Sequence, residues 1–295
     1  MTLKERKKTL IFFVISFALP CSCSIKDSPS DTIMETEDLK IEENILEISN
    51  DGDIFEITPD PDSASKLNGT WGQIQVVSHI SNFPGYNAVA TISRMWQLVT
   101  MKANENGIVD VEEIMCKLEV ETPQMPVQTI IPDNLVAHLN KTTRHAVVDG
   151  TGSGSHFESD TMVEVRGCIL QNPFTDELCY SPDDPRVIDQ DEDGHPGITL
   201  NFTGAVNAAV YVTQRWTSKF YQGTFDGSGN INGFVFSTSE QQILDSTNPV
   251  LDGPDPDPPE LGSWPDPDPN NSFFHLFRLQ ENSNCNDVLL NAPNI

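Results

Sequence analysis

Short runs of period-two hydrophobicity, broken by Gly, Pro, Asn and Asp, constrain this chain more than any other feature. Residues 70–80 alternate through Ile74, Val76 and Ile80. Residues 88–101 form a long β-rich run through Val89, Ile92, Trp96 and Val99. Asn106-Gly107 then turns the chain into the run 108–121, which predicts a hairpin of type I′ signature. Further strands are predicted at 128–131, 135–139, 145–149, 161–170, 198–202, 208–216 and 272–279. Residues 220–225 and 231–237 flank the Gly-rich hairpin loop 226–230. No long stretch carries a 3.6-residue period, so helices should be few. Strands at such spacings predict an all-β fold, an antiparallel barrel or sandwich.

The N-terminal end reads differently. Lys4, Arg6, Lys7 and Lys8 precede an apolar run from Leu10 to Leu19 that is too short for a span of about 20 residues. This predicts a signal peptide over 1–22. Pro20-Cys21-Ser22-Cys23 follows and resembles the lipobox of bacterial lipoproteins, in which the cysteine after the signal core is acylated. Small Ser22 before Cys23 makes Cys23 the expected acylation site, with Cys21 as the other choice. The resemblance implies a protein lipid-anchored in a bacterial envelope, at the outer membrane or the cell surface.

Charge agrees with that address. Lys+Arg 17 against Asp+Glu 44 gives −27, which excludes nucleic acid as a partner, because phosphate binding needs clustered cations. Cleavage ahead of Cys23 removes four basic residues and one acidic residue and shifts the net charge to −30. Membrane attachment would then rest on acyl chains rather than on a basic patch. Residues 23–66 read as an acidic flexible tether, dominated by Asp31, Glu35, Glu37, Asp38, Glu42, Glu43 and Glu47. Asn50-Asp51-Gly52 inside it is a hairpin signal.

The all-β body is expected over 67–295, interrupted by a Pro/Asp-rich loop at 248–271. Pro254-Asp255-Pro256-Asp257-Pro258 and Pro265-Asp266-Pro267-Asp268-Pro269 cannot lie in a central strand, since proline withholds a donor. Four cysteines fall in the body. In an exported protein an even four predicts two disulfides, Cys168 with Cys179 around the Asn172-Pro173 turn and Cys116 with Cys285. No Cys-x-x-Cys spacing points to zinc.

Asp189-Gln190-Asp191-Glu192-Asp193-Gly194 is the most specific motif. Carboxylates at alternate positions of a tight loop converge on one hard cation, and Gly permits the sharp turn. It resembles the first half of an EF-hand-type calcium loop. That resemblance implies Asp189, Asp191 and Asp193 as side-chain ligands and the His195 carbonyl as the next. The match stops at Pro196-Gly197, and Leu200 stands where a bidentate Glu is expected. Asp183, Asp184 or Asn201 is then the expected source of a completing ligand. Calcium in a structural role is the expected cofactor.

Residues 189–199, with Val210 to Arg215, Ser246 to Pro249, Phe274 to Leu279 and Ile131-Pro132-Asp133, resemble uncharacterised exported lipoproteins of myxobacteria and related δ-proteobacteria. This resemblance implies an address and a fold but no activity. Gly69-Thr70-Trp71 with the late Arg278 resembles the lipocalin pattern, which implies Trp and Arg packing together at a barrel end. It favours a calycin-like barrel and suggests an apolar small molecule as ligand.

Catalytic signals are weak. His156, Glu158 and Asp160 alternate beside Gly152-Ser153-Gly154-Ser155, which reads as a polar loop. His79, His138, His145 and His275 lie in strand runs as packed or exposed residues. The expected role is non-enzymatic, a surface interaction or structural module with a calcium-stabilised loop, acting on an envelope protein. The rival is a lipocalin-like carrier of an apolar molecule. If Cys23 carries the lipid, Triton X-114 partitioning places the parent in the detergent phase. Cys23→Ala should then move the protein to the aqueous phase, each buried CH₂ contributing about 0.8 kcal/mol. Unchanged partitioning would remove Cys23 as the anchor.

Overall fold

The computed structural model describes residues 56–83, 86–248 and 263–293. The expected signal peptide, Cys21, Cys23, the Asn50-Asp51-Gly52 hairpin and the first Pro/Asp repeat lie outside the described residues. The tether is expected to run to 66. Its last stretch instead forms α1 (Pro61–Ser65), opened by the Asp60 side chain, which accepts from the Asp62 amide. Ala64 and Leu67 are buried against the body, so that stretch contributes core surface rather than spacer.

The fold is all-β and antiparallel, as the period-two runs predict. Three long strands form a meander: β1 (Gly69–Phe83), β2 (Tyr86–Ala103) and β3 (Val109–Glu121). The predicted hairpin between β2 and β3 is present, but its turn is not type I′. That type needs a positive φ at both central residues, and only Gly107 has one, at 80°. The chain loops through Asn104–Ile108 instead. The Asn104 side chain accepts from the Asn106 and Ile108 amides at 2.9 and 3.1 Å.

β4 (Val127–Ile130) follows, then α2 (Asp133–His138), where a strand over 135–139 is predicted. A short apolar run does not separate strand from helix. Pro132 just ahead and Asp133 in the first turn favour the helix, and Leu135 is its buried residue. Next come β5 (Thr142–Val148), β6 (His156–Ser159) and β7 (Met162–Arg166). β6 is a strand where a loop is predicted, because Phe157 enters the core and His156 pairs with Thr224. β8 (Ile198–Gly204), β9 (Ala208–Phe225) and β10 (Ile231–Ser246) complete the large ladders. β11 (Ser263–Pro265) lies on the edge of β1, the place where a Pro-rich segment can pair. β12 (Phe273–Arg278) and α3 (Cys285–Asn291) end the fold.

Pairing closes eight strands into a ring, β1-β2-β3-β4-β8-β9-β10-β12 and back to β1. β9 pairs with β10 along one edge. Its other edge is shared by β8 at 208–212, β7 at 214–218 and β6 at 223–224. β6 continues through β5 to β3. The interior is filled. Phe220 stacks on Phe274 at 4.4 Å, and Phe157 lies 5.9 Å from the same ring. Arg144, buried with Glu113, holds that carboxylate at 3.0 Å and lies 3.9 Å over Phe220. Gln73 joins them through Gln97 at 2.6 Å and Glu113 at 3.1 Å.

Both predicted cysteine pairs stand at disulfide distance, Cys116 with Cys285 and Cys168 with Cys179. The first ties α3 to β3 at a bulge, where Trp96 faces Lys117 and Gln97 faces Met115. The Gly-x-Trp segment and Arg278 also meet as the lipocalin pattern implies. Trp71 donates its indole N–H to the Leu67 carbonyl at 2.9 Å. Arg278 lies 4.7 Å over the indole and donates to the carbonyls of Leu67 and Asn68 at 3.0 and 2.8 Å. Arg278→Ala should therefore cost about 1–2 kcal/mol in urea unfolding, Arg278 being exposed as a whole residue. Arg278→Lys should recover less than half, because an ammonium cannot span both carbonyls and the ring. An unchanged midpoint in both variants would contradict this clasp.

Candidate metal centre

Two glycines set the base of the acidic loop. Gly167 and Gly197 have φ of 71° and 88° and pack against the backbone of Val212 on β9. A Cβ on Gly197 would stand 2.4 Å from the Val212 carbonyl oxygen. This close approach lets three backbones stitch together. Ile188 donates to the Gly167 carbonyl at 3.1 Å, Gly197 to that of Ile188 at 2.8 Å, and Gln190 to that of Gly197 at 3.0 Å. The Gln190 side chain adds a tie on each side. It accepts from the Gly167 amide at 2.7 Å and donates to the His138 carbonyl at 3.2 Å. Residues 189–197 are thus cinched into a closed loop between β7 and β8.

Inside the loop the three aspartates converge. One carboxylate oxygen from each of Asp189, Asp191 and Asp193 lies within 4.8 Å of the others. Asp189 accepts from the amides of Asp193 and Gly194 at 3.1 and 2.9 Å. Asp193 accepts from the His195 amide at 2.9 Å and from the Thr199 hydroxyl at 2.5 Å. Asp191 Oδ2 accepts from the Thr199 amide at 2.9 Å. Asp191 Oδ1 is buried and accepts from no protein donor among the described residues, on a residue only 1% exposed. Burial, reinforced by the charges of Asp193 and Asp189, pushes the Asp191 carboxyl above its ordinary range. The Thr199 amide opposes that shift.

A buried carboxylate oxygen without a donor is unfavourable unless a cation or a proton reaches it. Three hard oxygen donors, with no His or Cys among them, suit calcium or magnesium better than zinc. The other residues named from sequence are less central. The His195 ring stacks on Tyr211 at 4.2 Å and lies nearly parallel to it. Asp184 is occupied by Arg186, at 2.8 and 3.1 Å, and that partner holds its carboxyl below the usual range. Asp183 and Asp184 both fall outside the cluster. Leu200 is buried with Ile198, Phe202, Val210 and Val212, which explains why no acidic residue stands there.

Thr199 and Asn134 are site residues that the sequence reading does not name. Thr199 caps two of the carboxylates, and Asn134 on α2 donates through its side-chain amide to the Asp191 carbonyl. Thr199 follows the motif closely enough to be found by its hydroxyl. Asn134 lies 57 residues away, and no local signal marks it. His156, Glu158 and Asp160 do not form a cluster. His156 pairs with Asp149 at 2.7 Å, Asp160 faces His145 at 2.8 Å, and Glu158 accepts from the Glu56 amide at 2.8 Å.

Comparison with protein-family models, with curated proteins and with solved structures finds no match to this chain.

The two loop glycines separate close packing from conformation. Gly194 and Gly197 share nearly the same φ, 87° and 88°, but a Cβ on Gly194 meets nothing within 4 Å. Gly194→Ala should cost only the strain of a positive φ, about 1–2 kcal/mol. Gly197→Ala adds a backbone clash and should cost at least about 3 kcal/mol in denaturant unfolding. Equal losses would contradict the stitched base.

Proposed function

We propose that this protein is a lipid-anchored module of a bacterial cell envelope, of the exported lipoprotein kind, and that its body is a non-enzymatic surface or structural domain whose acidic loop is set by calcium. The observation that carries the calcium reading is the buried Asp191 Oδ1, unpartnered within a ring of three carboxylates. Asp189, Asp191 and Asp193 would supply side-chain oxygens. The His195 carbonyl remains the proposed fourth protein ligand. Calcium there would neutralise charges that otherwise repel, so it would act on stability rather than on a reaction.

The anchor is supported by the Lys/Arg-led apolar run and the Cys21-Ser22-Cys23 segment. Two cysteine pairs at disulfide distance agree with an exported protein. A carrier of an apolar molecule held at the centre of the ring is the weaker reading, because Phe157, Phe220 and Phe274 already fill that interior.

Calcium bound only to the folded form stabilises by RT ln(1 + [L]/Kd), about 2.7 kcal/mol at a hundredfold excess. Extracellular modules often bind at about 10⁻⁴–10⁻³ M, so millimolar calcium should be needed. Calcium should raise the melting temperature, EDTA should reverse the gain, and magnesium should do less. Asp191→Asn keeps an acceptor for the Thr199 amide and removes the buried charge. That variant should melt at or above the parent without calcium and gain nothing when it is added. An equal calcium increment in parent and variant would reduce the loop to an acidic turn.

A further inference from the structure

Two ion pairs are buried inside the ring, and they belong to separate hydrogen-bond groups. Glu113 on β3 is held by Arg144 on β5 at 3.0 Å, with Gln73 and Thr142 also donating to it. Glu164 and Arg166, alternate residues of β7, form the second pair at 2.5 Å. Arg166 also donates through Nη1 to the Gln214 side chain at 2.9 Å. Its Nε meets no acceptor among the described residues, and neither does Nε2 of Gln75 on β1. Both residues are deeply buried, Gln75 at 1% exposure and Arg166 at 5%. A buried donor without an acceptor is destabilising unless something other than the protein accepts from it.

The two donors share a space. Gln75 and Arg166 both line a cavity of about 10 Å³, which also borders Glu113 of the first pair and Glu164 of the second. A cavity of this size admits one water molecule. Charge narrows the choice of guest further. Each lining carboxylate is balanced by a guanidinium, so the four charges cancel. Two N–H groups repel a cation, and two carboxylates nearby disfavour an anion. A neutral guest must then accept from the donors, and it can donate to the carboxylates. At this size water is the molecule that does both.

We propose that this cavity is a binding site for one water molecule, which accepts from Gln75 Nε2 and Arg166 Nε and donates to the lining carboxylates. The water joins the two ion pairs into one network across β1, β3, β5 and β7. Arg166 is followed directly by Gly167, whose carbonyl accepts from Ile188 at the base of the acidic loop. The network therefore fixes the strand end on which that loop is mounted. Gln75, Glu113, Glu164 and Arg166 all lie outside the acidic loop and the N-terminal end, so the inference stands apart from the calcium and anchor readings.

The test combines two measurements on the full chain. One is a high-resolution crystal structure with bromide in place of chloride. The other is water-oxygen magnetic relaxation dispersion, which counts long-lived internal waters in solution. The parent should show one ordered water within hydrogen-bond reach of both nitrogens and no anomalous bromide signal there. Gln75→Met removes one donor and puts an apolar chain of similar length into the cavity. It should lose that water, so the parent should count one long-lived water more than the variant. A bromide peak in the cavity, no density between the two nitrogens, or equal water counts in parent and variant would each overturn the proposal. The parent's crystal structure decides the question even if Gln75→Met fails to fold.

Discussion

β9 must satisfy hydrogen-bonding groups along both edges of an 18-residue strand, and the rest of the body is arranged around that requirement. β10 covers one edge almost throughout. No single strand covers the other, so the chain returns to it as β6, β7 and β8. The long connection between the last two returns carries the acidic loop. Its position follows from the close approach of Gly167 and Gly197 to Val212, which only residues without a Cβ permit. The loop is thus held by the strand ladder, not appended to it.

Two buried acidic sites show opposite solutions to the same problem. Glu113 sits deep in the ring, and Arg144, Gln73 and Thr142 all donate to it. A buried ion pair of this kind adds little net stability over an apolar pair, but removal of one partner is costly, typically about 3–5 kcal/mol. Asp191 is buried to a similar degree, yet among the described residues only its Oδ2 meets a donor. The protein solves the first site within its own side chains. The second is left incomplete beside two more carboxylates, and the proposed cation site rests on that contrast.

Much of the fold was legible because long strands alternate. β1, β2, β3, β8 and β12 fall where strand runs are predicted, whereas β9 joins the two predicted runs 208–216 and 220–225 into one strand. The cysteine pairs were legible from count and spacing. α2 was misread because a run as short as 135–139 fits either period, and β6 because Gly152 and Ser155 beside it outweighed Phe157. The Asn106-Gly107 turn was placed correctly but typed wrongly, since Asn104 takes over the loop's hydrogen bonds. At the site, the three aspartates were legible from spacing alone. The roles of Asn134 and Gln190 depend on α2 packing against the loop, a contact with no local signature.

The central claim is that Asp191 belongs to one discrete cation site and not to a diffuse acidic field. Equilibrium dialysis of EDTA-stripped protein against radioactive calcium counts bound ions directly. In 0.5 M sodium chloride, diffuse attraction is largely screened, the Debye length being only a few ångströms. The account predicts one saturable calcium per chain under those conditions, with millimolar or tighter affinity, and none in Asp191→Asn. Binding that vanishes in salt, or one calcium retained by the variant, would contradict it.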